Sequence, residues 1–375
     1  MAHVYTPGLK VTERTLVRKE RRLPLKGQVV VKKDEKLSGE VIVAHTSLPG
    51  NVTTVNVAGL LGVPAEDIKM MMVKKVGDTV KKDEPIAQSK GFFGMFKSAV
   101  KSPIDGSLES ASDITGQVIL REAPKPVQVK AYIDGTVTEI FPEEGVAVEA
   151  EASLIQGIFG IGGETRGIIK VVAKDPNEPL TDNDITEECK DKIVIGGSIV
   201  DAPALEKARS VGAKGLVVGG IEDSTLKKFL GYDIGVAITG QENCGVSVMV
   251  TEGFGRMRMA NHTFKLINSL AGKMASMNGA TQIRAGVIRP ELIVPYEERE
   301  VGKAGASKKL ESGLVIGSMV RIIREPMFGM IGKVTALPVE LRNIETESKC
   351  RILEVELEDG KKIFLPRANV EIIEE

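Results

Sequence analysis

The sequence predicts a β-rich, multidomain chain: a repeated β-hairpin sandwich, a middle α/β domain and a small C-terminal β-barrel. Three observations predict it. The string VKKDE occurs at Val31–Glu35 and again at Val80–Glu84, 49 positions on. From about residue 174 the pattern changes to strands alternating with helices. Beyond residue 313 short apolar strands alternate with glycine turns. With 375 residues, two to four domains are expected, and 42% hydrophobic content is enough for real cores.

Residues 1–26 read as a basic N-terminal arm. Residues 1–36 hold ten Lys/Arg against four acids, although the whole chain is nearly neutral at −1. Arg18, Lys19, Arg21 and Arg22 are therefore candidate contacts for a nucleic acid. A solvated arm, or a face against an acidic neighbour, is the plainer reading.

Residues 27–173 read as the repeated β domain. The VKKDE echo sits inside longer ones: GQVVVKKDEKLSGEVIVA against GDTVKKDEPIAQSK, with GVAVEAEASLIQG at Gly145–Gly157 as a weaker third pass. KSPIDGSLE (Lys101–Glu109) matches KAYIDGTVTE (Lys130–Glu139). Valine pairs favour strands, and Asp-Gly at 105–106 and 134–135 supplies tight turns. Each unit exposes an apolar face, so the copies are expected to bury those faces against each other.

The string VKKVGDTVKKDEPIAQSK, followed by VKSPIDGSLESASDITGQVILR, resembles the barrel-sandwich hybrid fold of biotinyl and lipoyl carrier domains, over roughly residues 25–165. The resemblance implies an exposed hairpin tip that carries a modified lysine. Lys90 falls near that place, but it has no acidic neighbour and an apolar insertion follows it. In that insertion, GFFGMF, Phe92, Phe93 and Phe96 form an apolar knob: either a plug over the end of the sandwich or a contact for a partner. GIFGIGGETRG further on lacks the Gly-Lys-Ser/Thr of a phosphate loop and reads as a turn-rich exit.

Residues 174–297 read as an α/β domain. KIVIGGSIV is a buried strand. DAPALEKARSVG is a helix capped by Asp201, with Pro203 in its first turn and Gly212 as its stop. AKGLVVGGI, DSTLKKFLG and GVSVMVTEGFG continue the alternation, and a helix ends at Gly272. The order is similar to that of swivelling β/β/α domains. Ligands bind open α/β sheets beyond the strand ends, so Glu242, Asn243, Glu252, Gln282 and Arg284 are candidates to line a crevice. Turn chemistry explains the same residue types. His262 has no partner at a fixed spacing, so it defines no metal site.

Residues 298–312 read as a charged linker and 313–375 as the barrel. LVIGSMVRIIREPMFGMIGKVTALP, followed by RILEVELEDGKKIFLPRANVEII, resembles the KOW motif of NusG-type transcription factors and ribosomal proteins, with Gly332 at the place of the motif's glycine. The resemblance implies that the loops touch RNA or protein. Nine basic residues face eleven acidic ones here, which weakens phosphate binding. Arg324 and Lys333 are the candidate RNA contacts, and Phe328 and Arg342 the candidate protein contacts.

The three cysteines show neither a disulfide pattern nor metal-knuckle spacing, and no apolar run is long enough to span a bilayer. No catalytic constellation stands out. The reading is a cytoplasmic, non-catalytic assembly or adaptor protein with no cofactor or metal, whose partner is another protein or copies of itself. The alternatives are an RNA or ribonucleoprotein factor and a prosthetic-group carrier modified at Lys90.

Overall fold

A computed structural model describes residues 9–89, 98–232, 244–281, 288–296, 314–322, 327, 330–338, 341–343, 349–357 and 359–374. The described residues are β-rich, 48% strand in several sheets and 16% helix.

The two VKKDE copies fold into the same turn. Asp34 and Asp83 both take left-handed backbone, at φ 66° and 64°. In each copy the Glu carboxylate folds back onto the first Lys amide: Lys32 N to Glu35 Oε2 and Lys81 N to Glu84 Oε2 are both 2.8 Å. Aspartate tolerates this conformation because its short polar side chain can bond locally. The Ile-Asp-Gly turns pin the copies in turn. Asp134 accepts from Gly39 N at 2.7 Å, and Asp105 accepts from Lys82 N at 2.8 Å.

One copy is nested inside the other. The outer copy pairs Ile42–Leu48 antiparallel with Lys125–Lys130, as far as Leu48 opposite Lys125. The chain then runs straight on into the inner copy, where Val52 pairs with Arg121. At the crossing a Cβ on Gly50 would lie 2.0 Å from the Glu122 carbonyl oxygen, so only glycine fits. The inner copy ends in the antiparallel hairpin Pro85–Gln88 with Ala99–Lys101. The outer copy carries the whole inner copy at the corresponding place.

The copies do not shield each other. The inner core is built from Val55, Ile68, Ile86, Leu108, Val118 and Leu120 among others, all from within residues 52–121. The outer core uses Val43, Ile133, Val137, Val148 and Ile293. The inner copy therefore closes on its own, while the outer copy shares its core with the N-terminal strand through Val17 and with the body through Ile293. The weak third echo is no turn: Gly145–Gln156 is one continuous strand.

Of the residues 1–26 expected as a basic arm, 9–22 form the strand Leu9–Arg22, which pairs with Gly145–Gln156 from Val11↔Ile155 to Arg22↔Gly145, and 1–8 lie outside the described residues. Val11 and Val17 alternate inward, so the stretch is a strand with one buried face. The boundary expected near residue 174 does not interrupt the sheet. Glu164–Val171 pairs parallel with Lys192–Ile195, and Gly145–Gln156 pairs with Glu291–Pro295.

In the α/β part, the parallel order Lys192–Ile195, Gly215–Ile221, Ser247–Phe254 matches the expected alternation. Asp201 caps the helix Ala202–Val211 by accepting from Ala204 N at 2.8 Å, and Gly212 closes it at φ 83°. The helix Asp223–Leu230 starts after Glu222, which makes no side-chain capping hydrogen bond.

The C-terminal strands run Lys362–Pro366, Lys349–Leu357, Ile331–Ala336, Met319–Ile322, Val370–Glu374, each antiparallel to the next. The last continues in parallel onto Leu9 and Lys10. A Cβ on Gly332 would meet Val355 Cγ1 at 2.4 Å, which explains the glycine.

Candidate functional site

The basic residues of the N-terminal strand meet carboxylates on neighbouring strands. Arg18 lies opposite Glu149 in register and bonds it at 2.7 Å, while its other nitrogen reaches Glu139. The Glu149 and Glu139 carboxylates raise the Arg18 pKa above its ordinary value. Lys19 Nζ bonds both oxygens of Glu291 at 2.6 Å. Arg21 grips Glu164 with two parallel bonds of 2.6 Å. Arg22 pairs with Glu20 and Glu144. The four nucleic-acid candidates of this strand are therefore committed within the chain, and each phosphate contact would have to displace a carboxylate. Glu291 also accepts from the buried Tyr132 hydroxyl at 3.4 Å. Burial, and then the charge of Glu291, push that phenol's pKa up, so it stays a neutral donor.

Among the described residues, the ends of the parallel strands hold no open crevice at Glu252. Backbone from other segments lies across them: a Cβ on Gly219 would lie 2.3 Å from Met257 O, and one on Gly197 2.5 Å from Asp175 O. The glycines admit this close packing. A bulge in Ser247–Phe254 shifts the register between Val218 and Gly220 and re-aims Glu252. Its carboxylate accepts from Ala260 N at 3.0 Å, at the start of the helix Asn261–Ser269, and pairs at 2.6 Å with Arg321 of the C-terminal strands expected to form the barrel. The Arg321 side chain is 3% exposed and that of Glu252 2%. Arg321 also donates to Thr251 O at 3.0 Å. Glu252, expected as a ligand contact, is thus half of an ion pair between body and barrel. Glu242, Asn243, Gln282 and Arg284 lie outside the described residues.

A second pair joins the same two parts: Arg289 of the body bonds Glu371 of the barrel. No local motif in the sequence groups these four residues. Arg321 carried a usable signal, since it stands between Val320 and Ile322 in an apolar strand and is itself buried.

The inner copy presents a different surface. Its hairpin closes with Ser89 N to Ser98 O at 2.9 Å. Lys90, Phe92, Phe93 and Phe96 fall between these two serines and lie outside the described residues. Beside the VKKDE turn, a shallow cleft of about 570 Å³ is lined by Lys74, Thr79, Lys81, Lys82, Asp83 and Glu84. Lys74 bonds Glu84 at 2.6 Å and lowers that carboxyl's pKa. Leu60, Met70 and Ile114 are exposed on this copy, by 65%, 64% and 88%. Lys333 of the barrel is exposed; Arg324, Phe328 and the Arg342 side chain lie outside the described residues.

Among the described residues no group of three or more His, Cys, Asp or Glu could hold a metal ion, and no helix is long and apolar enough to cross a membrane. Neither a scan against protein-family models nor a search of curated proteins finds a match to this chain.

Proposed function

We propose that this chain is a non-catalytic assembly or adaptor protein. In this reading its N-terminal half is a nested pair of barrel-sandwich hybrids and its C-terminal module is a KOW-type barrel. The partner is another protein or further copies of the chain. One observation carries the reading: the inner copy is a lobe with its own core, hung from the body by two crossing segments. Among the described residues none of its strands or helices packs broadly on the rest. A lobe that the body does not need for its own core, with Leu60, Met70 and Ile114 facing solvent, suits presentation to a partner.

The test is to replace residues 50–122 by a two-residue turn joining the outer hairpin. The body should keep its melting transition, while the native mass of the complex falls to that of a monomer. A full-length chain that is already a clean monomer in native mass measurements sinks the assembly reading. RNA that co-purifies, with an affinity that falls steeply with salt, supports the ribonucleoprotein alternative instead.

A second reading, a prosthetic-group carrier at Lys90, is favoured by the antiparallel hairpin closed at Ser89 and Ser98, which brackets the lysine. Intact mass of the native chain, co-expressed with lipoate and biotin ligases, decides it: an unmodified mass ends the carrier reading.

A further inference from the structure

We propose that the C-terminal barrel is a separable module held on the body by a reversible latch, closed here by two opposed ion pairs. Arg321 and Glu371 sit opposite each other on paired barrel strands. Arg321 reaches Glu252, and Glu371 receives Arg289, so each barrel residue engages a body residue of opposite sign. Arg321 Nη1 lies 4.0 Å from Glu371 Oε2, so the four charges alternate along one line of contact.

Three features make this a latch and not a shared core. The barrel's apolar cluster, including Val320, Val334, Leu353, Val355 and Val370, is drawn entirely from residues 314–372. The barrel therefore keeps its core when undocked, although Met319 and Ile331 rest on the body's core in the docked state. Strand pairing between barrel and body, among the described residues, is confined to Leu9↔Ile373 and Lys10↔Glu374. Finally, Nε and Nη1 of Arg321 are buried with no hydrogen-bond partner among the described residues. Buried ion pairs add little net stability while breaking one is costly, so this pair sets the docked geometry, and removing one partner should undock the barrel. The latch stands whether or not the adaptor reading holds.

Trypsin cuts after lysine, and Lys303, Lys308 and Lys309 lie in the segment that joins body to barrel. The full chain is nicked there and passed over a sizing column. Wild-type fragments should elute together. The double variant Glu252→Gln with Glu371→Gln should release free barrel at least about tenfold more, the single variants should fall between, and the body's melting should be unchanged. Should the double variant not fold, Arg321→Lys keeps the charge, loses the fork and should still release part of the barrel. Co-elution of the variant fragments overturns the latch. Separation of the wild-type fragments, or a body that melts earlier in step with release, does so as well.

Discussion

Asp34 and Asp83 hold the left-handed position of the repeated turn, and each tests how much the turn depends on its residue. A β-branched residue there should cost about 1–2 kcal/mol, so Asp83→Val should lower the unfolding midpoint of the inner lobe while Asp83→Gly leaves it nearly unchanged. Equal effects from the two variants would count against the strain argument. The lobe's carboxylates add a pH dependence. Lys74 lowers the pKa of Glu84, Arg121 that of Glu109, and Lys69 that of Asp113. A lowered folded value means stability that is present above the ordinary carboxylate range and fades as pH falls through the lowered values. Hydrogen exchange at Val118 and Leu120 should therefore speed up, relative to the intrinsic rate, as pH drops toward 3; a flat ratio contradicts it. Single residues were legible in the sequence where the interaction is local. Asp201, Gly212 and the Asp-Gly turns signal through near neighbours. Glu252 was misread because its partner Arg321 lies 69 residues away, and nothing local marks a carboxylate that a bulge has turned inward.

Elements follow the same division. The helix Ala202–Val211 announces both of its ends, and Asp201→Ala should cost about 1 kcal/mol in denaturant unfolding of the body. Gly332→Ala should destabilise the barrel by about 1–3 kcal/mol, because the added carbon meets Val355 and the Glu356 carbonyl with no room to move aside. A neutral result would mean that the strand shifts freely. The strand Leu9–Arg22 was hidden by its charge. Its eight basic and acidic residues drew attention from the inward alternation of Val11 and Val17, and its partner strand lies more than a hundred residues on. The excess of positive charge is a property of a stretch of sequence. Once Glu149, Glu151, Glu164 and Glu291 arrive from other strands and Glu144 from a turn, little of it is left over.

At the scale of the molecule, that cancellation makes a prediction about nucleic acid. Replacing Arg18 and Arg21 together by Gln should change RNA affinity at low salt by less than about threefold, since each contact there would first have to break an ion pair. A loss of tenfold or more would restore the strand as an RNA surface. The β-rich, multi-sheet architecture was legible because repeats and turn residues are written in order along the chain. The continuity of the body was not, because Pro176 and Pro179 mark a turn that looks like a border while the sheet closes across it.

The doorway at Gly50 has a consequence for how the chain reaches this state. The outer hairpin must bring Ile42 to Lys130, and an open loop of that span is entropically expensive to close. The inner lobe needs nothing from outside itself and, once formed, sets Val52 beside Arg121. What remains to be joined is then a few residues on either side. Assembly from the inside outward is the cheaper route, and an early intermediate structured at residues 52–121, with the ends still loose, would be its kinetic trace.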